Sequence, residues 1–149
     1  MTIEDEIKGR FRNEFHKGLI NLNYTVKHIS YGFHQSLKNH NITEQQYNVL
    51  RILRGFRIEA PLSIGFIKER MLDKDSDVSR IVDRLYLNGM VTRCENPKDR
   101  RQKSVEITDL GLALLDKMLY IEKKVDTLLG NLTEEEAQQL NFLLDKIRS

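Results

Sequence analysis

The sequence is poor in residues that staple or interrupt a chain: one cysteine, two prolines and no tryptophan in 149 residues. A lone thiol, Cys94, cannot close an intramolecular disulfide, which excludes a disulfide framework and fits a reducing compartment. No apolar run approaches the roughly 18 residues a membrane span requires. The start, Met1-Thr2-Ile3-Glu4-Asp5-Glu6, is acidic where a signal peptide is basic, so the chain is expected in the cytoplasm with no membrane partner. Asn41-Ile42-Thr43 and Asn131-Leu132-Thr133 match the glycosylation sequon but read as helix starts. There is no glycine-rich phosphate loop, no H-E-x-x-H pair and no paired-cysteine motif, so no enzyme activity and no cofactor are expected. His16, His28, His34 and His40 are spaced 12, 6 and 6 residues apart, which puts neighbours on different helix faces and argues against a metal site.

What is present is the composition of a water-soluble globular domain: 40% hydrophobic residues, 31% charged residues and a mean hydropathy of -0.50. The total charge of +2 hides an uneven distribution. Residues 78–103 hold seven Lys/Arg (Arg80, Arg84, Arg93, Lys98, Arg100, Arg101, Lys103) against three acids (Asp83, Glu95, Asp99), a local net of +4 that leaves -2 for the remainder. A basic patch on a slightly acidic chain suits a protein that meets a polyanion at one place, and a solvated surface reads the same way on charge alone.

Apolar residues recur at steps of three and four from Ile3 through Phe11, Leu19, Val26 and Phe33 to Leu37, which predicts one long helix of about 50 Å. It cannot bury its own stripe alone. Thr43 and Gln46 form a capping box for a second helix, with Ile42 stapled to Tyr47. Ser63 can cap a third, and a fourth follows Asp73 or Asp75 and stops at Asn88-Gly89. Val91–Cys94 and Lys103–Ile107 read as a hairpin with a long charged tip. Thr108 then caps a helix carrying Leu110 to Leu128, and Thr133 with Glu136 caps a last helix carrying Leu140, Leu143, Leu144 and Ile147.

On the fourth helix Val78, Ile81, Val82 and Leu85 share one side, and Ser76, Ser79, Arg80, Asp83 and Arg84 the other. Small hydroxyls beside arginines suit the DNA major groove, because Arg grips guanine edges and phosphates while Ser permits close approach. Three helices followed by a hairpin, with the basic face on the last helix, is the winged helix-turn-helix plan. The fold expected is mainly α with a small β-hairpin wing. Residues 41–107 form the winged-helix DNA-binding domain, and residues 1–40 and 108–149 form a helical dimerisation region.

Asp77-Val78-Ser79-Arg80-Ile81-Val82-Asp83-Arg84-Leu85, then Asn88-Gly89-Met90-Val91, Asp99-Arg100-Arg101, and Ile107-Thr108 with Gly111 resemble the signature of MarR-type transcriptional regulators. The resemblance implies a homodimer whose first, fifth and sixth helices interlock, with the fourth helix in the major groove and the wing in the minor groove. It also implies an Asp-x-Arg wing element, matched by Asp99 and Arg101, in which the Asp orients the Arg. The expected partner is a double-stranded, pseudo-palindromic operator, and the expected role is repression. The DNA-binding residues are then Lys74, Ser76, Ser79, Arg80, Arg84, Lys98, Asp99 and Arg101. A pocket for a small phenolic or amphipathic ligand is implied near Tyr24, His28, Tyr31, His34 and Tyr47, although aromatics at such spacings also serve simple packing. The acids in Asp73-Lys74-Asp75-Ser76-Asp77 depart from the Ser/Thr caps of similar proteins and oppose non-specific attraction to phosphates. A competing reading is a winged-helix protein-interaction module whose basic patch binds an acidic partner.

Overall fold

A computed structural model describes residues 1–96 and 99–149, with the backbone alone for Asn96 and Arg100. Two compact units are present, Met1–Ser36 and Leu37–Ser149.

In the first unit the expected single helix is broken. Helix α1 spans Ile3–Ile7 and ends at Lys8, whose φ of 53° is left-handed, and α2 spans Glu14–Asn39. The break has a local cause. Lys8 sits beside Gly9, and the Asn13 side chain accepts the His16 N–H (2.9 Å), starting a new helix where the stripe predicted continuation. A Lys17–Glu4 ion pair and a hydrogen bond from the Tyr24 hydroxyl to Glu6 (3.0 Å) tie α1 to α2. The 26 residues of α2 extend about 39 Å.

The second unit holds the winged helix. Helix α3 (Glu44–Gly55) opens with the expected Thr43–Gln46 capping box, and both Ile42 and Tyr47 are buried there. A 3-10 turn (Arg57–Glu59) and a short strand β1 (Leu62–Ser63) follow, neither foreseen from the sequence. The Ser63 hydroxyl accepts the Phe66 N–H (3.1 Å) to start α4 (Ile64–Arg70). Helix α5 (Val78–Leu87) begins later than either expected cap, because the Asp77 carboxylate accepts the Arg80 N–H (3.2 Å).

Strands β2 (Val91–Asn96) and β3 (Asp99–Ile107) run further than their apolar segments and take in much of the expected charged tip, where Glu95, Asn96 and Asp99 are paired. Order in the antiparallel sheet is β1-β3-β2, with Arg93 opposite Val105, Glu95 opposite Lys103 and a register shift at Glu95/Asn96. Ladder bonds need no apolar side chains, which is why hydropathy underestimates these strands.

Thr108 caps α6 (Asp109–Lys117) by accepting the Gly111 N–H (3.1 Å). The helix expected to run on to Leu128 is interrupted at fully buried Met118, after which α7 spans Leu119–Asp126. Helix α8 (Glu134–Arg148) has the expected Thr133–Glu136 capping box. Val49, Leu50, Ile67, Val82, Leu85, Val91, Val105, Leu115 and Met118 form the buried core against which α5 and the wing are set.

One junction fixes where β2 leaves α5. Gly89 takes a φ of 74°, Thr108 donates its hydroxyl to the Gly89 carbonyl (2.6 Å), and its N–H bonds the Met90 carbonyl (3.0 Å). A side chain at Gly111 would put Cβ 2.4 Å from that same Met90 oxygen, so only glycine fits the approach.

Candidate nucleic-acid interface

Helix α5 divides cleanly. Val78, Ile81, Val82 and Leu85 are buried, while Ser79, Arg80, Asp83 and Arg84 are exposed. Arg80 and Arg84 line an open groove of about 440 Å³ with Thr43, Gln45, Gln46 and Asp77. Among the described residues neither guanidinium has an ion-pair partner, although they lie four apart and repel each other. Asp83, the nearest acid on the helix, pairs instead with Arg93 of β2. Two arginines are thus presented to solvent with their donors unspent.

The acidic run before α5 builds the turn. Asp73 accepts the Asp75 N–H (3.0 Å) and a Gln45 amide hydrogen (3.3 Å), and Asp77 caps α5. Lys74 is exposed and donates to the Glu69 carbonyl at the end of α4. Ser76 corrects the sequence reading, which put it on the exposed face. It precedes α5, is only 3% exposed, and lies 3.4 Å from the Gln45 amide. Its hydroxyl joins α3 to the turn, so it cannot present itself to a groove without leaving the core. Gln45 was missed by sequence reasoning because a polar residue in a first helical turn looks like ordinary solvated surface.

On the wing, side-chain alternation along β3 places Arg101, Lys103, Val105 and Ile107 on one face, and Val105 and Ile107 are buried. Arg101, Gln102 and Lys103 line a cleft of about 410 Å³ with Arg93, with Ser79, Val82 and Asp83 of α5, and with Ser63, Ile64 and Gly65. The Asp99 carboxylate accepts the backbone N–H of Arg101 (3.0 Å), so within the Asp-x-Arg element the Asp acts on the main chain at Arg101. Lys98 lies outside the described residues. Cys94 is exposed and points a weak thiol donor at the Ser104 carbonyl (3.8 Å).

The expected aromatic cluster falls on two elements. On α2, Tyr24 and His28 stack with ring centres 6.5 Å apart, Tyr31 is 68% exposed and His34 is exposed. The Glu6 carboxylate accepting from Tyr24 holds that phenol above its ordinary pKa. Tyr47 on α3 is 2% exposed, a core residue whose phenol burial also pushes up.

Residues 42–103 match the sequence model of the MarR family. The chain is 31% identical over 114 residues to the HTH-type transcriptional repressor MdtR of Bacillus subtilis, a match spanning 76% of this chain and 72% of that one. It is also 31% identical over 110 residues to the multiple antibiotic resistance protein MarR of Escherichia coli, spanning 72% and 74%. Among solved structures, the S. aureus MepR–DNA complex superposes with a TM-score of 0.71 at 25% identity, over 84% of this chain and 94% of that one. No helix among the described residues is long and apolar enough to cross a membrane.

Proposed function

The chain belongs to the MarR family of DNA-binding transcriptional regulators, and on that premise we propose that it is a homodimeric repressor that occupies a pseudo-palindromic operator in the cytoplasm. The observation that carries this reading is the α5 surface, where Arg80 and Arg84 stand exposed and unpaired among the described residues beside Ser79. Arg80 and Arg84 contact guanine edges or phosphates in the major groove, Ser79 permits close approach, and Lys74 reaches the backbone. Arg101 enters the minor groove from the wing with Asp99 setting its main chain, and Lys98 adds charge at the tip. The work is binding, with no catalytic step.

Residues 1–40 and 108–149 supply the dimer contacts, and residues 41–107 the DNA contacts. The apolar residues left on α2 and α8 support this division: Phe15 is 89% exposed, and Leu143 and Ile147 are also exposed. Two copies on one axis present two recognition helices to successive major grooves, about 34–36 Å apart. A small phenolic or amphipathic ligand releases the operator by binding better to a conformation in which that spacing is lost. Tyr24, His28, Tyr31 and His34 on α2 offer ring faces and polar edges for such a ligand.

Binding to random duplex DNA across a salt series tests the reading. A steep fall in affinity with salt is expected, with a slope of about -0.9 per phosphate neutralised. No binding to duplex at low salt, together with capture of an acidic polypeptide, would favour a protein-interaction module instead.

A further inference from the structure

We propose that Arg93 is a positioning residue that holds the wing against α5 and so sets the relative placement of the two DNA-reading elements; the consequence for DNA rests on the groove assignment above.

Arg93 is the point at which β2 leaves the core. Val91, two residues earlier on the same face, is buried, and Arg93 itself sits opposite fully buried Val105. Arg93 is itself half-buried and not part of that core. The guanidinium instead reaches α5, where it pairs with Asp83 and lies 4.0 Å from the centre of the Tyr86 ring. Asp83 and Tyr86 are three apart on one helix face, so a single planar group engages both. Lysine could supply the charge but not the flat stacking surface.

The arrangement is too exposed to matter much for stability, because Asp83 keeps 53% of its side-chain surface in water. Its value is geometric. The cleft between α5 and the wing has Arg93 and Asp83 in its lining, and the same cleft is lined by Ser79 on one side and Arg101 on the other. With the Arg93 contact gone, the described residues record no other ion pair or side-chain hydrogen bond from α5 to β2 or β3. The wing would then keep its ladder and its buried root at Val91 and Val105, but its outer part would lose its polar tether to the recognition helix. Arg93, counted from the sequence in the basic patch of residues 78–103, is thus already committed within the chain.

The test uses the full-length protein and two readouts. In the free protein, hydrogen exchange of amides in residues 92–104 should accelerate about tenfold in Arg93→Ala while α5 and the core keep their protection. The charge swap Asp83→Arg with Arg93→Asp should recover most of it, and Arg93→Lys should fall between. With duplexes sharing one central site, the preference for A·T-rich over G·C-rich flanks should drop about tenfold in Arg93→Ala, the scale of one charge-assisted contact. The swap should restore it. Using a ratio removes the added attraction that an arginine at position 83 brings to any DNA. Wild-type exchange in Arg93→Ala, or failure of the swap to recover it, overturns the positioning role. Altered exchange with recovery, alongside a flank preference that Arg101→Ala leaves untouched, upholds the strut and removes the minor-groove assignment instead.

Discussion

Helices α5 and α8 are both amphipathic and both begin at a side-chain cap, yet they handle their apolar faces in opposite ways. Helix α5 buries Val78, Ile81, Val82 and Leu85 within its own chain, leaving Ser79, Arg80, Asp83 and Arg84 outward and only its last turn, at Tyr86 and Leu87, with exposed apolar surface. Helix α8, with 15 residues, buries none, and Leu143 and Ile147 on its stripe remain 47% and 71% exposed. Each fully buried Leu or Ile contributes about 1.5–3 kcal/mol, so an uncovered stripe of this kind is stabilisation left for a second surface to supply. The winged helix covers most of its apolar face with its own residues; on the proposed reading, the C-terminal helix is covered by a partner copy. If the proposal holds, the contrast separates what folds the DNA-reading lobe from what spaces two such lobes.

Attacking α8 should have the largest effect. Leu143→Glu combined with Ile147→Glu should convert the dimer to monomer at micromolar concentration in sedimentation velocity and cost more than about 3 kcal/mol of association, two buried side chains per protomer being lost. If α8 were ordinary surface, the same pair would shift stability by only about 0.5 kcal/mol each. Within the lobe, Gly111→Ala should destabilise by about 1–3 kcal/mol in chemical denaturation, because the new methyl meets the Met90 carbonyl and Ile107 rather than open space. That variant should remain dimeric if the two regions are energetically distinct.

Arg80→Ala sharpens the comparison from the other side. It should leave the melting temperature nearly unchanged and weaken operator binding by about 1–3 kcal/mol if the guanidinium reads a base. A phosphate contact would weaken all sequences alike and lower the salt slope by about one. The smallest effect is expected for Asp99→Ala, where loss of the bond to the Arg101 amide should weaken binding by about 0.5–1.5 kcal/mol although a negative charge is removed. Tighter binding at moderate salt would show that Asp99 is only a charge on a basic surface.

Much of this was legible in the sequence because caps and periodicity are local. Thr43, Ser63, Thr108 and Thr133 each start the helix expected of them, and the apolar side of α5 is the one its spacing indicates. What was not legible depended on backbone geometry or on partners distant in sequence. The break at Lys8 follows from a left-handed φ, the burial of Ser76 from Gln45 thirty-one residues away, and the strand β1 from pairing with β3. The roles of the arginines divide the same way. Composition counts Arg80, Arg84, Arg93 and Arg101 alike, and only the fold distinguishes Arg93, spent on Asp83 and Tyr86, from Arg80 and Arg84, left facing solvent.

In-vitro selection of duplexes from a randomised pool by the full-length protein tests most directly whether two copies present paired recognition helices. The expected result is enrichment of two inverted half-sites with centres about 10–10.5 base pairs apart, the separation of successive major grooves. Enrichment of a single half-site, or of no sequence above the starting pool, would contradict it.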